Sequence, residues 1–299
     1  MKPARHAGSR LDPAEQAWMR DPATQAVIAA LDAAQPGASR FVGGCVRNAL
    51  LGKPVADVDI ATRLLPEQVI AAARAAGLKP VPTGIRHGTI SVISGGRPFE
   101  VTTLRRDVET DGRRAVVAFT QDWSEDARRR DFRLNALYAD FDGIIHDPTG
   151  GLADLDPCRF VFVGSAEDRI REDYLRTLRL FRFEAWYGSG SPDMEGLAAA
   201  RRLKAGLHTL SAERVWSELK KLLLAPDPGP AVALMAEHEI LSEILGVNGS
   251  LRILVGIINQ DISAGLEPDP LLRFVALIGG GPERIKIMAA KLKMSNAES

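Results

Sequence analysis

Hydrophobic and polar positions divide the chain near its middle. Between Arg40 and Gly151 short apolar runs alternate with short helical patterns, whereas beyond Leu155 apolar residues recur at helical spacing. Upstream, residues 22–34 read as an alanine-rich helix with one narrow stripe (Val27, Ile28, Leu31), ended by Gln35-Pro36-Gly37. Residues 40–42 form a short strand that Gly43-Gly44 breaks. Residues 45–51 follow as a short helix with Gly52 just past its end. A second strand is expected over 55–61 and a helix over 66–76, with Pro66 at its start and Gly77 at its end. Residues 89–93 and 99–104 flank Ser94-Gly95-Gly96-Arg97, a hairpin signal. Residues 134–141 and 143–146 read as a further strand pair or helix–strand unit.

The second half predicts helices over 166–186, 195–205, 211–224, 229–238, 251–260, 271–278 and 283–293. In the first of these, Ile170, Tyr174, Leu178 and Phe181 make the apolar face. Trp186, Trp216 and Phe183 are expected in the core. At the end, Ser295 and Glu298 have capping-box spacing with nothing after them, so the reading expects a truncated tail.

Composition narrows the class. The chain has 299 residues, enough for roughly two domains, and 45% are hydrophobic, enough for a core. Lys+Arg and Asp+Glu are 38 each, so net charge gives no evidence for a nucleic-acid partner. Two cysteines, Cys45 and Cys158, exclude a disulfide framework and a four-cysteine zinc site and suit a reducing compartment. The five histidines show no metal-ligand spacing. No apolar run approaches the ~20 residues that span a bilayer. Residues 1–20 carry both charges without an apolar core and do not read as a signal peptide. A soluble cytoplasmic protein is expected.

The chemistry concentrates at Gly43-Gly44-Cys45-Val46-Arg47 and Asp57-Val58-Asp59. A diglycine turn between strand and helix lets backbone N–H groups face an anion, helped by the helix dipole and by Arg47; a triphosphate suits it. On a strand, Asp57 and Asp59 would share one sheet face, where their repulsion calls for a cation. Such hard oxygen ligands suit Mg²⁺, and Glu100 on a neighbouring strand is a candidate third carboxylate. With three acids, two metals could be held, one at the attacking hydroxyl and one at the leaving pyrophosphate. Alone, a diglycine turn is mostly structural and an Asp-x-Asp is mostly a solvated edge. Their conjunction around an arginine is the informative feature. Neither a Rossmann nor a Walker phosphate loop is present.

These residues resemble the signature of class II tRNA nucleotidyltransferases, the CCA-adding enzymes and bacterial poly(A) polymerases of the polymerase β superfamily. The other motifs follow in order: Arg129-Arg130-Asp131-Phe132 with Asn135-Ala136; Asp147-Pro148 with Gly150-Gly151-Leu152 and Asp154-Leu155; Glu172-Asp173-Tyr174-Leu175-Arg176; Ser211-Ala212-Glu213-Arg214 with Glu218-Leu219. The resemblance spans residues 40–245. It departs at Asn48, where the family usually has Asp, and at Arg133, where it usually has Thr.

The resemblance implies an α+β fold, with a polymerase β-like nucleotidyltransferase head built on a mixed sheet (1–154), an all-α neck (155–225) and an all-α body (226–299). It implies CCA addition to tRNA lacking its 3′ CCA, from CTP and ATP, with Mg²⁺. No membrane and no protein partner are implied. Asp57 and Asp59 become the catalytic metal-binding pair, with Glu100 as third acid. Gly43, Gly44, Arg47, Arg130 and Asn135 become nucleotide contacts. Asp173 and Arg176 read the base, and Arg179 and Arg182 complete the nucleotide site.

Donor–acceptor logic supports that pair. Cytosine and adenine present an amino donor beside a ring-nitrogen acceptor, which suits a carboxylate and a guanidinium; guanine and uracil present the reverse. At i and i+3 of one helix both would reach one base. Helix rotation turns Arg182 away, toward phosphate or tRNA. The competing reading is a row of surface salt bridges with Glu172 and Asp173.

Residues 105–117 resemble the loop that such enzymes use when switching from CTP to ATP, with Gly112 permitting motion; an ordinary solvated loop is the alternative. Arg201, Arg202, Lys204, Lys220, Lys221, Arg284, Lys286, Lys291 and Lys293 are either a track for an acceptor stem or solvated helix faces. Two other functions compete: poly(A) addition to varied RNA ends, and a non-catalytic RNA-binding remnant of the fold.

Overall fold

The computed structural model describes residues 10–111, 114–246 and 249–298. The chain forms two compact units. The first runs to Asp156 and regains Val161–Val163; the second comprises Pro157–Phe160 and the chain from Gly164 onward.

The first unit is built on a seven-stranded mixed sheet. Its elements are α1 (Ala17–Arg20), α2 (Pro22–Ala34), β1 (Ser39–Val42), α3 (Gly44–Leu51), β2 (Asp59–Thr62), α4 (Pro66–Ala75), β3 (Lys79–Gly84), β4 (Thr89–Ser94), β5 (Arg97–Thr103), β6 (Arg105–Asp111), β7 (Arg114–Phe119), α5 (Trp123–Arg128), β8 (Tyr138–Ala139) and β9 (Ile145–His146). The large sheet has the order β3-β4-β5-β2-β1-β8-β9, with β2 and β5 parallel. The β6–β7 pair is a separate two-stranded ribbon.

Local chemistry explains most of these elements. Pro22 starts α2, and the Asp21 carboxylate caps it by accepting the Thr24 N–H at 3.1 Å. Val27, Ile28 and Leu31 are buried as expected. α2 and α4 pack on each other and over β4 and β5. Along β2 the alternation puts Ile60 on one face and Asp59 and Ala61 on the other. Ala61 belongs to a second core with Val42, Leu104, Trp123, Ala127, Ala136, Tyr138 and Val163. Asp59 thus stands at the rim of a packed layer that contains α5.

Four expectations in this unit change. β2 starts at Asp59, not at residue 55. Its partner Phe41 faces Ile60, so Asp57 would face Gly44, which has already turned into α3. On the other side Asp59 faces Glu100, so Asp57 would face Pro98, which lacks an N–H. Asp57 therefore lies in the exposed loop before the strand. Of residues 105–117, read as a loop, 105–111 and 114–117 belong to the β6–β7 ribbon; Gly112 and Arg113 lie outside the described residues. β3, with Pro80 and Pro82 in it, was not expected; the helix expected after residue 117, without bounds, is α5.

The second unit is all helical: α6 (Ala166–Glu172), α7 (Leu175–Tyr187), α8 (Met194–Arg202), α9 (Ala212–Leu223), α10 (Gly229–Glu237), α11 (Ile240–Leu245), α12 (Leu251–Ala264), α13 (Pro270–Ile278) and α14 (Pro282–Lys291). Its core includes Ile170, Leu178, Phe181, Trp216, Leu219, Val232, Ile240, Leu254, Ile258 and Phe274. Arg273 is buried in it and donates to Asp261 at 3.0 Å and to the Leu223 and Ala225 carbonyls at 2.8 and 2.6 Å. Trp186, expected in the core, is 39% exposed and donates to the Lys221 carbonyl at 2.7 Å.

The single helix expected over 166–186 breaks at Asp173, whose backbone is extended. Its Oδ1 accepts the Leu175 N–H at 3.1 Å, a side-chain bond that competes with helix continuation. The break is also held from outside. A Cβ on Gly206 would lie 1.9 Å from the Tyr174 ring, so only glycine lets that ring pack there. The tail folds back as turns: Glu298 accepts from the Ser295 N–H at 3.2 Å and from Lys220 at 2.7 Å. Among the described residues no helix is long and apolar enough to cross a membrane.

Candidate active site

Gly43 follows β1 with φ +72 and ψ −122, a backbone conformation that side chains resist. The turn opens α3, whose first internal bond runs from the Arg47 N–H to the Gly43 carbonyl at 2.9 Å. The N–H groups of Gly44, Cys45 and Val46 thus precede the helix ladder, at its positive end.

Arg47 is only 6% exposed. Its Nη1 donates to Asn135 Oδ1, and its Nε and Nη2 donate to Asn48 Oδ1 at 3.2 and 2.9 Å. Asn135 in turn donates to Asp131 at 3.0 Å. Asn48, where the sequence departs from the family, therefore orients Arg47. Its Nδ2 also holds the Pro54 carbonyl at 2.8 Å, tying down the loop that leads to Asp57.

Asp59 and Glu100 are direct partners across parallel strands. Burial pushes the Asp59 carboxyl up to about 6; Glu100 and Asp57 add to the rise and Arg130 opposes it. The three acids therefore sense one another. Among the described residues no three His, Cys, Asp or Glu side chains are grouped tightly enough to cage a metal ion by themselves. The donor set still fits Mg²⁺, which takes one or two carboxylates and completes its shell with water and substrate phosphates. The negative charge at Asp59, only partly offset by Arg130, is what a hard divalent cation would neutralise.

Arg130 follows α5. A Cβ on Gly43 would lie 3.8 Å from its Nη1, so the guanidinium reaches the diglycine turn. Its Nη2 and Nε donate to Asp126 Oδ2 at 2.9 and 3.2 Å, and Nε also meets the Tyr138 hydroxyl at 3.2 Å. Burial alone would raise Asp126; the charges of Arg130 and Arg129 and the Tyr138 hydroxyl hold it well below the usual carboxylate range. Asp126 and Tyr138 escaped the sequence reading. The available signal was the i, i+4 spacing of Asp126 and Arg130. Arg133, the second departure, donates to both oxygens of Asp154 at 2.8 Å. Asp147 accepts the Gly151 and Leu152 N–H groups at 2.8 and 2.9 Å, which makes that motif a structural clasp.

The sheet unit thus brings together Gly43, Gly44, Arg47, Asp57, Asp59, Glu100, Arg130 and Asn135. The remaining candidates lie in the helical unit. Asp173 precedes α7 rather than sharing a helix with Arg176, and its Oδ2 accepts from Arg214 Nη2 at 2.7 Å. Arg176 donates to Glu172 at 2.6 Å and to the Arg169 carbonyl at 3.2 Å. Arg182 donates to the buried Glu218 at 2.6 Å and lies 4.2 Å over the Phe183 ring; Arg179 lies 5.3 Å from the same ring. The surface-salt-bridge reading of this row is therefore realised in part. Of the later basic residues, Arg201, Arg202, Lys204, Lys220, Lys221, Lys286 and Lys293 each face a carboxylate.

This geometry agrees with two family models. Residues 39–159 match the poly A polymerase head domain, and residues 192–246 match the probable RNA and SrmB-binding site of polymerase A. The chain is 38% identical over 266 residues to the mitochondrial CCA tRNA nucleotidyltransferase 1 of Mus musculus, covering 87% of this chain and 60% of that protein. It is 44% identical over 190 residues to a CCA-adding enzyme of Streptococcus pyogenes, covering 62% of this chain and 46% of that protein. The crystal structure of the Bacillus stearothermophilus CCA-adding enzyme with CTP superposes with a TM-score of 0.68 at 32% identity, over 93% of this chain and 64% of that one. The fold and site define a nucleotidyltransferase head followed by a helical region. The chain belongs to the family of tRNA nucleotidyltransferases and poly(A) polymerases. It spans about half the length of the curated relatives it matches.

Proposed function

We propose that the protein is a CCA tRNA nucleotidyltransferase, adding C, C and A to tRNA lacking its 3′ CCA, from CTP and ATP with Mg²⁺. The observation that carries this reading is the convergence of Asp59, Glu100 and Asp57 with Arg47 and Arg130 at one diglycine turn. The kinship with CCA-adding enzymes, one of them solved with CTP, supports it.

The tRNA 3′-hydroxyl attacks the α-phosphorus and loses its proton to water, a new P–O bond forms, and the bond to the bridging oxygen breaks to release pyrophosphate. Asp57 and Asp59 would hold Mg²⁺, with Glu100 as the third acid. When bound, the ion supplies charge neutralisation at the phosphates and a more acidic attacking hydroxyl. Arg47 and Arg130 grip the triphosphate, and the Gly43-Gly44 turn lets its oxygens approach the backbone. Asn135 keeps Arg47 aimed. Catalysis is positioning and electrostatics, with no obligatory general base.

Asp173 and Arg176 select the base, accepting from the amino group and donating to the ring nitrogen. A carboxylate oxygen paired with Arg214 still has lone-pair capacity for an amino group. Arg179 and Arg182 complete the nucleotide site in this reading. The head, neck and body division at 154 and 225 belongs to the same proposal. Cys45 and Cys158, which form no disulfide, suit a reducing compartment such as the cytoplasm.

Incorporation onto tRNA lacking CCA tests the proposal, with each nucleotide offered singly and then CTP with ATP. Two cytidines followed by one adenosine is the expected product. Long adenosine tails would assign poly(A) addition instead, and no incorporation would leave the RNA-binding remnant.

A further inference from the structure

We propose that Asp126 is a positioning residue of this site. Its buried carboxylate aims Arg130 at the diglycine turn with one oxygen and fastens the root of the β6–β7 ribbon with the other. The inference rests on the reading that Arg130 holds the triphosphate.

Asp126 is 1% exposed on α5. Its oxygens divide their partners by direction. Oδ2 accepts from Arg130 Nη2 at 2.9 Å and Nε at 3.2 Å, and from the Tyr138 hydroxyl at 2.7 Å. Oδ1 accepts from Arg129 Nε at 2.9 Å and Nη2 at 2.7 Å, and from the Arg105 N–H at 3.3 Å. Arg105 is the first residue of β6, and its carbonyl also accepts from Arg129 Nε at 3.1 Å. One carboxylate therefore joins a ligand-facing guanidinium to the base of a ribbon.

The physical consequence concerns preorganisation. A guanidinium is a rigid planar fork, so holding its Nε–Nη2 edge fixes where Nη1 points. Arg130 is held on that edge, while its Nη1 reaches toward Gly43. An arginine fixed in advance loses little rotamer freedom when a phosphate arrives, and that cost would otherwise come out of affinity. Asparagine at 126 would turn a donor toward an arginine and remove the charge that draws both guanidinium groups inward. The tyrosine adds directionality, because its hydroxyl meets both Asp126 Oδ2 and Arg130 Nε.

The test separates this role from general support of the fold. Binding of CTP with Mg²⁺, inorganic tripolyphosphate and CMP is measured by calorimetry for the full chain and for Asp126→Asn, Tyr138→Phe and Arg129→Lys, alongside melting temperature. Asp126→Asn is expected to weaken CTP and tripolyphosphate by a similar factor, about 30-fold, with CMP nearly unchanged. Tyr138→Phe, which keeps the ring and the fold, is expected to do the same by about threefold. Arg129→Lys is expected to weaken CTP through the ribbon side by about threefold. Equal losses for CTP and CMP, or a Tyr138→Phe protein that binds tripolyphosphate as tightly as the parent, overturn the proposal. If the parent chain binds CTP but adds no nucleotide to tRNA, the proposed reaction fails while the positioning role stands on its own measurements. If the parent binds neither CTP nor tripolyphosphate, both readings fall.

Discussion

The candidate arginines of the sheet unit and the pair at Asp173 in the helical unit are held differently. In the sheet unit Arg47 and Arg130 sit in buried hydrogen-bond networks: Arg47 on Asn135 and Asn48, Arg130 on Asp126 and Tyr138. In the helical unit Arg273 and Arg182 are buried in the same way, but Asp173 and Arg214 form a pair whose side chains remain 27% and 34% exposed, and Arg202 lies on Glu167 at the surface. The first arrangement is preorganised, because losing one partner strands a buried polar group. The second is exchangeable, because solvent and salt already compete for each ion pair. A triphosphate needs a fixed cradle. A base that must change from C to A, or a phosphate track along RNA, is served by side chains that trade partners.

The sharpest way to break this comparison is at the acids. Asp59→Ala should lower incorporation by at least about a thousandfold, since the proposed reaction depends on charge neutralisation there. The same site carries a stability signature of opposite sign. The folded carboxyl is raised to about 6, so the folded state holds a proton longer than the unfolded chain does. Without metal, stability falls as pH rises from about 4 to about 6, and Asp59→Asn should remove that fall, stabilising the protein at pH 8 by about 1–3 kcal/mol. A melting curve insensitive to the substitution would contradict the crowding of the three acids.

Next in size is Arg47→Lys. Lysine cannot serve Asn135 and Asn48 together, so kcat/KM should fall about 100-fold with a loss of about 2 kcal/mol in stability. Asp173→Ala should behave differently. Unfolding free energy should change by less than about 1 kcal/mol, while preference for C and A over G and U drops at least about tenfold. Full retention of that preference would end the base-reading proposal.

Smaller still is the effect of Glu184 in the helical unit. Burial raises its carboxyl to about 7, with the Phe160 N–H opposing and Asp193 adding to the rise, and its Oε1 has no hydrogen-bond partner among the described residues. The folded state therefore keeps a proton that the unfolded chain releases above about 4.5. Stability should decline between about pH 4.5 and 7, by up to about 2 kcal/mol, and Glu184→Gln should flatten the profile. Smallest is Arg202→Ala, which should leave the melting temperature unchanged while weakening RNA retention at low salt if the basic faces exchange carboxylates for phosphates.

Much of the site was legible because its determinants are local. Gly43 announces a conformation that only glycine adopts cheaply, and Asp59 and Glu100 fall on strands with clear alternation. Asp57 was misplaced on a strand because its missing partners are tertiary facts: the neighbour has already turned at Gly43, and the opposite position is Pro98. The helix over 166–186 looked continuous because apolar spacing ignores the Asp173 bond to Leu175 and the seating of Tyr174 on Gly206. Asp126 drew no attention, because Arg105 and Tyr138, two of its partners, lie 21 and 12 residues away.

By itself, then, the chain specified a mixed-sheet region followed by helices, the diglycine turn, and the acids and arginines proposed to carry the chemistry. These depend on backbone sterics and on periodic burial, which act over a few residues. Only tertiary structure decided which carboxylate holds which arginine, where the helix after Asp173 begins, and which basic side chains are already paired. Each of those is a contact between segments far apart in sequence, and its energy depends on how deeply the pair is removed from water.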